Sequence, residues 1–557
     1  VVLTELERHR EALVAYQRAS ELKTENPLYF RNVGVALAQL GQVQDALVAF
    51  DRALVLCHLP DVGVGESDLI SNLIAADAHS ERGQILEKMG DGAAALKEYQ
   101  RAVELMPTES AYRLRQALAY GHFNEPNRML HILRRSVQMR PEDGLAHYHL
   151  GEALETMGQA EESLAAYRKA VDARPKEGRF WKSLGRVQRA VGQIDASIES
   201  LARAKDLLPG EADAHFQLGL SLESAGRGQE AEECYRRAAR EDVNREEYWM
   251  ALGRCCRGLG RLSDSQAALR RVLFLNPTQS AAHSEMAETL LRQQRHQEAL
   301  AEVQAAIKGD PEVGLYHHQA ARIHREAGQG QEALSFLSKA VELEPHRSAW
   351  RRELGELLEE MEEWENALGQ YEIACQREPD SAQGFYLLGR LHHRIGRADE
   401  ALSESERAVN LDPQGVEARV FLTSLYFERG DYQKALTHCQ DITRVAPGAA
   451  EPYYLAARSL IKLGRDLEAI QQLEQATSLC PNEPAWQREL GQVYAGAGRL
   501  LEAQQAYHQA LQMGPNPELR RELANLYLKM CWRQEAIKQL QEGLEEVAWL
   551  GPEKHGR

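Results

Sequence analysis

The fold is decided by one stretch, Trp181–Pro209, which reads WKSLGRVQRAVGQIDASIESLARAKDLLP. It carries a leucine-glycine pair at Leu184-Gly185, a second glycine at Gly192 and a proline at its end. Glycine takes the left-handed conformation that ends a helix at little steric cost, and proline lacks the amide hydrogen that a helix interior needs. The stretch therefore predicts a helix, a short turn, a second helix and a second turn.

The same pattern recurs along the chain with a period of 34 residues. The prolines mark it most clearly, and Val243 holds the one slot on their grid that lacks a proline. The prolines on the grid are Pro107, Pro141, Pro175, Pro209, Pro277, Pro311, Pro345, Pro379, Pro413, Pro447, Pro481 and Pro515. A fixed period in this range is typical of a solenoid of stacked repeats, and such arrays present extended binding surfaces.

These units resemble the tetratricopeptide repeat family. The family's tryptophan, leucine-glycine, glycine, alanine and proline positions are occupied by Trp181, Leu184-Gly185, Gly192, Ala204 and Pro209. The unit around Gly491 adds Tyr494, Ala503, Tyr507, Ala510 and Pro515. The resemblance covers nearly all 557 residues. It implies an all-α solenoid, a right-handed superhelix of about 15 helix-turn-helix repeats of 34 residues, in which the first helix of each unit lines a concave groove.

The chain divides at the breaks in this pattern. Residues 1–57 are predicted to hold a partial first repeat and one full repeat, residues 73–547 a continuous array, and residues 548–557 a C-terminal tail. Residues 58–72 are predicted to form an insertion loop, within which Ser67-Asp68 cap a helix that starts early and continues through Leu73. Because the first repeat begins midway, we expect the parent chain to continue before Val1, and a further segment to follow Arg557.

Composition narrows the classes of function. The net charge is −17, which disfavours the phosphate attraction that drives nucleic-acid binding. No stretch approaches the ~18 apolar residues of a transmembrane helix. The eight cysteines have no metal-ligand spacing and are predicted to be reduced core thiols. These features predict a cytoplasmic protein that binds neither nucleic acid nor membrane.

No enzyme motif is present in the sequence. It lacks a phosphate loop ending in Gly-Lys-Ser or Gly-Lys-Thr, a Gly-x-Ser-x-Gly elbow and a His-Glu-x-x-His metal motif. The adjacent histidines His317-His318 and His392-His393 point about 100° apart on a helix, so we interpret them as structural. The chain is therefore predicted to have no catalytic residues, no metal and no cofactor.

A second period of 68 residues lies on top of the first. Arginine follows the leucine-glycine position in every second unit, and arginine or histidine recurs three residues later, in alternation with units rich in glutamate. Residues three apart share a helix face, so basic and acidic bands alternate along the array. Two hypotheses follow: the arginines form a ladder of ion pairs between units, or they bind carboxylates of an extended partner.

By family position, thirteen side chains are predicted to line the groove. They combine charge with apolar and aromatic contact surface. They are Lys182, Arg186, Arg189, Arg254, Arg257, Arg322, Arg325, Arg390, Arg458, Tyr148, Phe216, Tyr386 and Tyr454. Histidines and tryptophans also alternate at another repeat position, as His147, Trp181, Trp249 and His283 show.

The sequence predicts a non-catalytic scaffold or adaptor that binds a protein or peptide in the groove, with an extended acidic segment as one candidate. The alternative is a sensor or substrate-recruiting arm of a larger enzyme, such as a glycosyltransferase, caspase-like peptidase or signalling NTPase, whose catalytic part is absent from this chain. RNA binding is disfavoured by the charge. Self-association is a further alternative, since uncapped repeats can stack head to tail.

Overall fold

The helices follow the predicted period. A computed structural model describes residues 8–58 and 66–550, and over these residues the chain forms 31 helices and no strand. The helices are α1 His9–Leu22, α2 Pro27–Gln39, α3 Val43–Cys57, α4 Glu66–Lys88, α5 Gly92–Leu105, α6 Ser110–His122, α7 Pro126–Met139, α8 Gly144–Thr156, α9 Ala160–Ala173, α10 Gly178–Ala190, α11 Ile194–Leu207, α12 Ala212–Ser224, α13 Gly228–Glu241, α14 Glu246–Gly258, α15 Leu262–Leu275, α16 Ser280–Arg292, α17 His296–Gly309, α18 Gly314–Glu326, α19 Gly330–Leu343, α20 Ser348–Glu360, α21 Trp364–Arg377, α22 Ala382–Arg394, α23 Ala398–Leu411, α24 Val416–Arg429, α25 Tyr432–Val445, α26 Ala450–Lys462, α27 Asp466–Leu479, α28 Pro484–Gly496, α29 Leu500–Gln512, α30 Pro517–Lys529 and α31 Arg533–Leu550.

The helices alternate between two roles. We call the even-numbered helices A helices and the odd-numbered ones B helices. The chain forms two compact units, the first ending at Gln293 and the second starting at Gln294. Within each unit an A helix packs against the B helix that follows it, and consecutive A helices also touch. The predicted all-α repeat fold is confirmed, while the handedness of the array stays a prediction.

The A and B helices pack closely where the A helix carries a glycine, which has no side chain. A Cβ atom on Gly185 would lie 2.5 Å from the Cγ atom of Leu201, and one on Gly151 would lie 2.7 Å from the ring of Tyr167. Real Cβ atoms do not come so near, so the small residue in the A helix sets the distance between the two helices. Leu201 and Tyr167 are both fully buried as a result.

The turn between the A and B helices of a repeat depends on a residue in the left-handed backbone conformation. Gly192 has φ +79°, and a Cβ atom added to it would meet nothing within 4 Å. Glycine is therefore needed here for its backbone conformation rather than for its small size. Four turns use another residue type in the same left-handed region: Asn124, Gln294, Glu362 and Cys531. A side chain in this conformation costs roughly 1–2 kcal/mol, so these turns are strained relative to the glycine turns.

The structure corrects the predicted boundaries of the insertion and the tail. Helix α4 begins at Glu66, so the predicted loop boundary at residue 72 is wrong, and the helix starts before the predicted cap at Ser67-Asp68. Ser67 and Asp68 lie inside the first turn rather than before it. Asp68 favours this early start, because acidic side chains are stabilising at a helix N-terminus. Residues 59–65 and 551–557 lie outside the described residues, and 548–550 belong to α31.

The described helices show neither membrane character nor disulfides. No described helix is both long and apolar enough to cross a bilayer. All eight cysteines are free thiols, and Cys255 and Cys256 are buried side by side. Burial raises the pKa of these two thiols to about 12 and about 11. They therefore stay protonated and inert at neutral pH.

A strained turn gives the first prediction. The change Glu362→Gly at φ 61° removes the strain of the side chain and is expected to stabilise the protein by about 1 kcal/mol. The change Gly396→Ala, at φ +80°, is the reverse control and is expected to destabilise by a similar amount. The midpoint of urea unfolding measures both. A shift of both midpoints in the same direction would contradict this account of the turns.

Candidate protein-binding surface

The candidate site is the surface formed by the fifth, ninth and twelfth residues of the A helices, which we call the A-helix surface. In α10 these are Lys182, Arg186 and Arg189. The spacing places them on one side of the helix, since residues three or four apart are neighbours on a helix surface. Consecutive A helices touch within each unit, so the surface continues from one helix to the next.

In the first unit, the cations of this surface bind the neighbouring A helix. Arg186 on α10 donates to the Glu155 carboxylate on α8 at 2.8 Å, and Arg257 on α14 pairs with Glu285 on α16 at 2.7 Å. Arg254 lies 3.4 Å from the same glutamate.

Two more cations bridge α10 to α12. Lys182 pairs with Glu211 and, at 2.9 Å, with Asp213. Arg189 donates to the backbone oxygen of Gln217 at 3.0 Å and to its side-chain oxygen at 2.9 Å. Burial lowers the pKa of Arg189, while the carboxylates of Asp213 and Glu211 raise the pKa of Lys182 against the effect of its burial.

The second unit repeats this arrangement with one variation. Arg390 on α22 pairs with Glu359 on α20 at 3.2 Å, and Arg325 on α18 pairs with Glu360. Arg322 lies half-buried on α18. Arg458 on α26 instead packs over two rings, with its guanidinium carbon 4.6 Å from the Phe427 ring centroid and 5.7 Å from that of Tyr454.

The predicted ladder of ion pairs is therefore present, and it leaves the arginines partly open. The Arg186, Arg254 and Arg390 side chains are 46%, 55% and 40% exposed although each has an acidic neighbour. A guanidinium has five donors, so one carboxylate does not saturate it. Structural pairing and partner binding are thus compatible at the same residue.

The predicted aromatic lining is wrong at two positions. Tyr148 and Phe216 are 9% and 4% exposed, so they belong to the core rather than to the groove. The Tyr148 ring stacks on Phe180 of the next A helix at 4.6 Å, and Phe216 lies 4.9 Å from Tyr248. In each case the ring is covered by the third residue of the next A helix.

Two other predicted aromatics are partly exposed on the surface. Tyr454 stacks on Trp486 of α28 at 4.8 Å, and Tyr386 meets Phe421 of α24 edge to face at 5.9 Å. All four rings are half-buried. The Glu489 carboxylate, together with burial as the larger cause, raises the pKa of Tyr454 to about 12, so its hydroxyl stays a hydrogen-bond donor.

Sequence reasoning missed the tyrosines that hold the acidic residues of this surface. The Tyr167 hydroxyl on α9 donates to Glu155 at 3.0 Å, and the Tyr235 hydroxyl donates to Glu223 at 2.6 Å. Glu155 therefore lies between a tyrosine and Arg186. Burial, and then Glu155, raises the pKa of Tyr167. The sequence does show the pairing, because a tyrosine follows the glutamate by twelve residues in alternate repeats.

The alternating histidines and tryptophans share one structural role. The ring N–H of Trp181 donates to the carbonyl oxygen of Pro175 at 2.8 Å, and that of Trp249 donates to Val243 at 3.1 Å. A ring nitrogen of His147 donates to Pro141 at 3.0 Å. Each ring thus satisfies the carbonyl six residues before it, where the preceding helix has ended. Either residue type serves, because both carry a ring N–H.

One group of described residues has the composition of a metal site. Ligand atoms of Glu232, Cys256 and Asp264 lie within 4.8 Å of one another. The Glu232 carboxylate already pairs with Arg236 and Arg261, and burial raises the pKa of the Cys256 thiol to about 11. The carboxylate is thus neutralised and the thiol is protonated, so this group does not fit a metal ion.

The tyrosine–glutamate bond generates the second prediction. Removing the hydroxyl with Tyr167→Phe leaves Glu155 with one partner fewer and is expected to destabilise the protein by about 1 kcal/mol. Tyr507 has the same repeat position without a hydrogen bond to any described side chain, so Tyr507→Phe is the control and is expected to change stability little. Urea unfolding compares the two variants. Equal losses would show that the hydroxyl contributes nothing specific.

Comparisons with known proteins agree with this architecture. A model described as tetratricopeptide repeat matches residues 3–57, 114–178, 182–246, 250–313 and 353–416. Two further tetratricopeptide repeat models match residues 426–492 and 76–109. No curated protein matches the chain.

Solved structures similar to this chain include three whose sequences differ widely from it. The APC/C hetero-tetramer Cut9–Hcn1 is 15% identical with a TM-score of 0.34, and the match covers 94% of this chain and 98% of that one. YrrB, described as a TPR protein with an unusual peptide-binding site, is 22% identical with a TM-score of 0.30 over 35% of this chain and 97% of its own. Pseudomonas aeruginosa pilF is 20% identical with a TM-score of 0.33 over 38% and 97%. Because one repeat model alone matches more than half of its residues, the chain belongs to the tetratricopeptide repeat family.

Proposed function

We propose that this chain is a non-catalytic scaffold or adaptor that binds a protein or peptide on its A-helix surface. The observation that carries the proposal is a strip of partly exposed aromatic and arginine side chains on α22, α24, α26 and α28. The strip comprises five residues of the A-helix surface, Tyr386, Arg390, Phe427, Tyr454 and Arg458, and the adjoining rings of Phe421 and Trp486. Tyrosine, tryptophan and arginine are the residues most enriched at the energetic centres of protein interfaces.

The strip is ordered before any partner arrives. Tyr454 is stacked on Trp486, and Arg458 lies between Phe427 and Tyr454. Side chains that are already fixed by their neighbours lose little conformational entropy on binding. The strip therefore suits a partner that is itself extended and gains its order on binding.

Arg458 is the residue best placed to select the partner's charge. Its contacts to described residues are to rings, whereas Arg390 shares Glu359 with Arg394. A guanidinium held over aromatic rings keeps its donors for a carboxylate, which it binds in a planar, two-point geometry. The proposed partner segment therefore carries an aspartate or glutamate next to apolar residues.

The proposal extends to the compartment and to the excluded partners. Eight free thiols favour a reducing compartment, which supports a cytoplasmic location. The net charge of −17 opposes binding to nucleic acid.

The third prediction tests the strip. A displayed library of unstructured peptides is selected on the full chain, and the affinity of enriched peptides is measured on variants. Arg458→Ala is expected to weaken binding about ten- to a hundredfold, because the loss of a charged hydrogen bond costs roughly 1.5–3 kcal/mol. The thermal midpoint is expected to move little, because Arg458 has no acidic partner among the described residues.

The matched control is Arg465→Ala. Arg465 pairs with Glu468 on α27 and lies outside the strip, so its removal changes the net charge equally. Binding to the control is expected to change less than twofold. Equal losses in both variants would show that only net charge matters, and enriched peptides without acidic residues would contradict the proposed partner chemistry.

A further inference from the structure

The ring of Trp249 on α14 lacks a contact that the other tryptophans have. Of the tryptophans whose side chains the structure describes, only Trp249 meets neither a cation nor another ring. Trp181 has the same repeat position, and Arg203, 22 residues later in the following B helix, lies 4.6 Å over its ring. The matching residue for Trp249 is Arg271, which lies instead 5.0 Å over the exposed ring of Phe274. The ring of Trp249 is therefore left without the cation that covers Trp181.

An open cavity of about 490 Å³ lies beside this ring and is lined by α13, α14 and α15. Its apolar lining includes Val243, Trp249, Leu252, Cys256 and Ala268. Val243 occupies the one slot on the 34-residue grid that lacks a proline. Leu252, Cys256 and Ala268 are buried, so this part of the lining is held in place by the packing of the helices. The volume is within the range of small-molecule sites, about 300–1,000 Å³.

The charged lining of the cavity is mainly basic. It consists of Arg236, Arg240 and Arg271 together with one acidic residue, Asp264. Asp264 lies 3.5 Å from Arg236, which also pairs with Glu232. Within the described part of the chain, no acidic side chain pairs with Arg240 or Arg271. Two guanidiniums of the lining therefore keep their donors for an anion.

This charge decides which kind of group covers the ring. A ligand cation, which would otherwise suit the face of a tryptophan, is repelled by Arg240 and Arg271. A planar apolar group stacks on an indole, and a carboxylate attached to it accepts a pair of hydrogen bonds from an arginine. One negative charge suits the cavity better than the charge of about −2 on a phosphate monoester, because Asp264 also lines it.

We propose that this cavity binds a small aromatic carboxylate, which stacks on Trp249 and pairs with Arg240 or Arg271. The site lies on helices of the first compact unit, whereas the strip of the proposed function lies on helices of the second. It is thus a second binding activity, and its ligand is a small molecule rather than a protein.

Titration calorimetry on the full chain compares 2-naphthoate with 2-naphthamide, which has the same rings and no charge. Saturable binding of 2-naphthoate is expected, at least tenfold tighter than that of 2-naphthamide, because only the carboxylate forms a charged hydrogen bond. The double change Arg240→Gln and Arg271→Gln is expected to remove this difference. The control is Arg237→Gln with Arg270→Gln, which removes the same charge from the same two helices at positions outside the lining. Its effect is expected to stay below threefold.

A second pair of variants tests the ring. Trp249→His keeps a ring N–H for the carbonyl of Val243, as His147 does at the same position of another repeat, but removes most of the stacking surface. It is expected to weaken the binding of 2-naphthoate about tenfold. Trp181→His is the control and is expected to change binding little, because Arg203 already covers that ring.

The proposal is overturned if 2-naphthoate does not bind saturably or if 2-naphthamide binds equally well. Equal losses in Trp249→His and Trp181→His, or in the two double variants, would also overturn it. Adenosine monophosphate is the third probe, and its binding more tightly than 2-naphthoate would contradict the choice of a carboxylate over a phosphate.

Discussion

The structure depends on one close contact, in which a B-helix side chain packs against the backbone of the preceding A helix. Gly185 under Leu201 and Gly151 under Tyr167 have no room for a Cβ atom, so helix separation is set by a residue without a side chain. That separation brings the twelfth residue of the A helix within reach of a B-helix hydroxyl, as in Glu155 and Tyr167. The chemistry of the A-helix surface therefore follows from the packing beneath it.

Ion pairs also connect the A helices of neighbouring repeats. Because neighbouring A helices touch, an arginine in one reaches a glutamate in the other, as Arg186 reaches Glu155 and Arg390 reaches Glu359. Exposed ion pairs contribute only about 0–1 kcal/mol each, so stability alone is a weak reason for so regular a pattern. In the proposed function, the ion pairs hold long side chains in place on the surface that binds the partner.

Much of the fold was predictable from the sequence because the sequence is periodic. The prolines, the left-handed glycines and the small A-helix residues are local requirements that each unit must meet, so they recur in register and predict the hairpins. Exposure was harder, because it depends on residues about 32 positions away. Tyr148 is covered by Phe180, and Phe216 by Tyr248, and nothing near either ring in sequence shows it. The early start of α4 at Glu66 was likewise underestimated, since the period says nothing about inserted residues.

The central claim is that a partner lies on the A helices rather than on the B helices. Hydroxyl-radical footprinting of the full chain with a selected peptide tests it most directly, because aromatic side chains on both kinds of helix report in one experiment. The account predicts that Tyr386, Tyr454 and Trp486 become protected on peptide binding, while Trp364 on the B helix α21 reacts as before. Protection of Trp364 with unchanged reactivity of Tyr454 and Trp486 would contradict it.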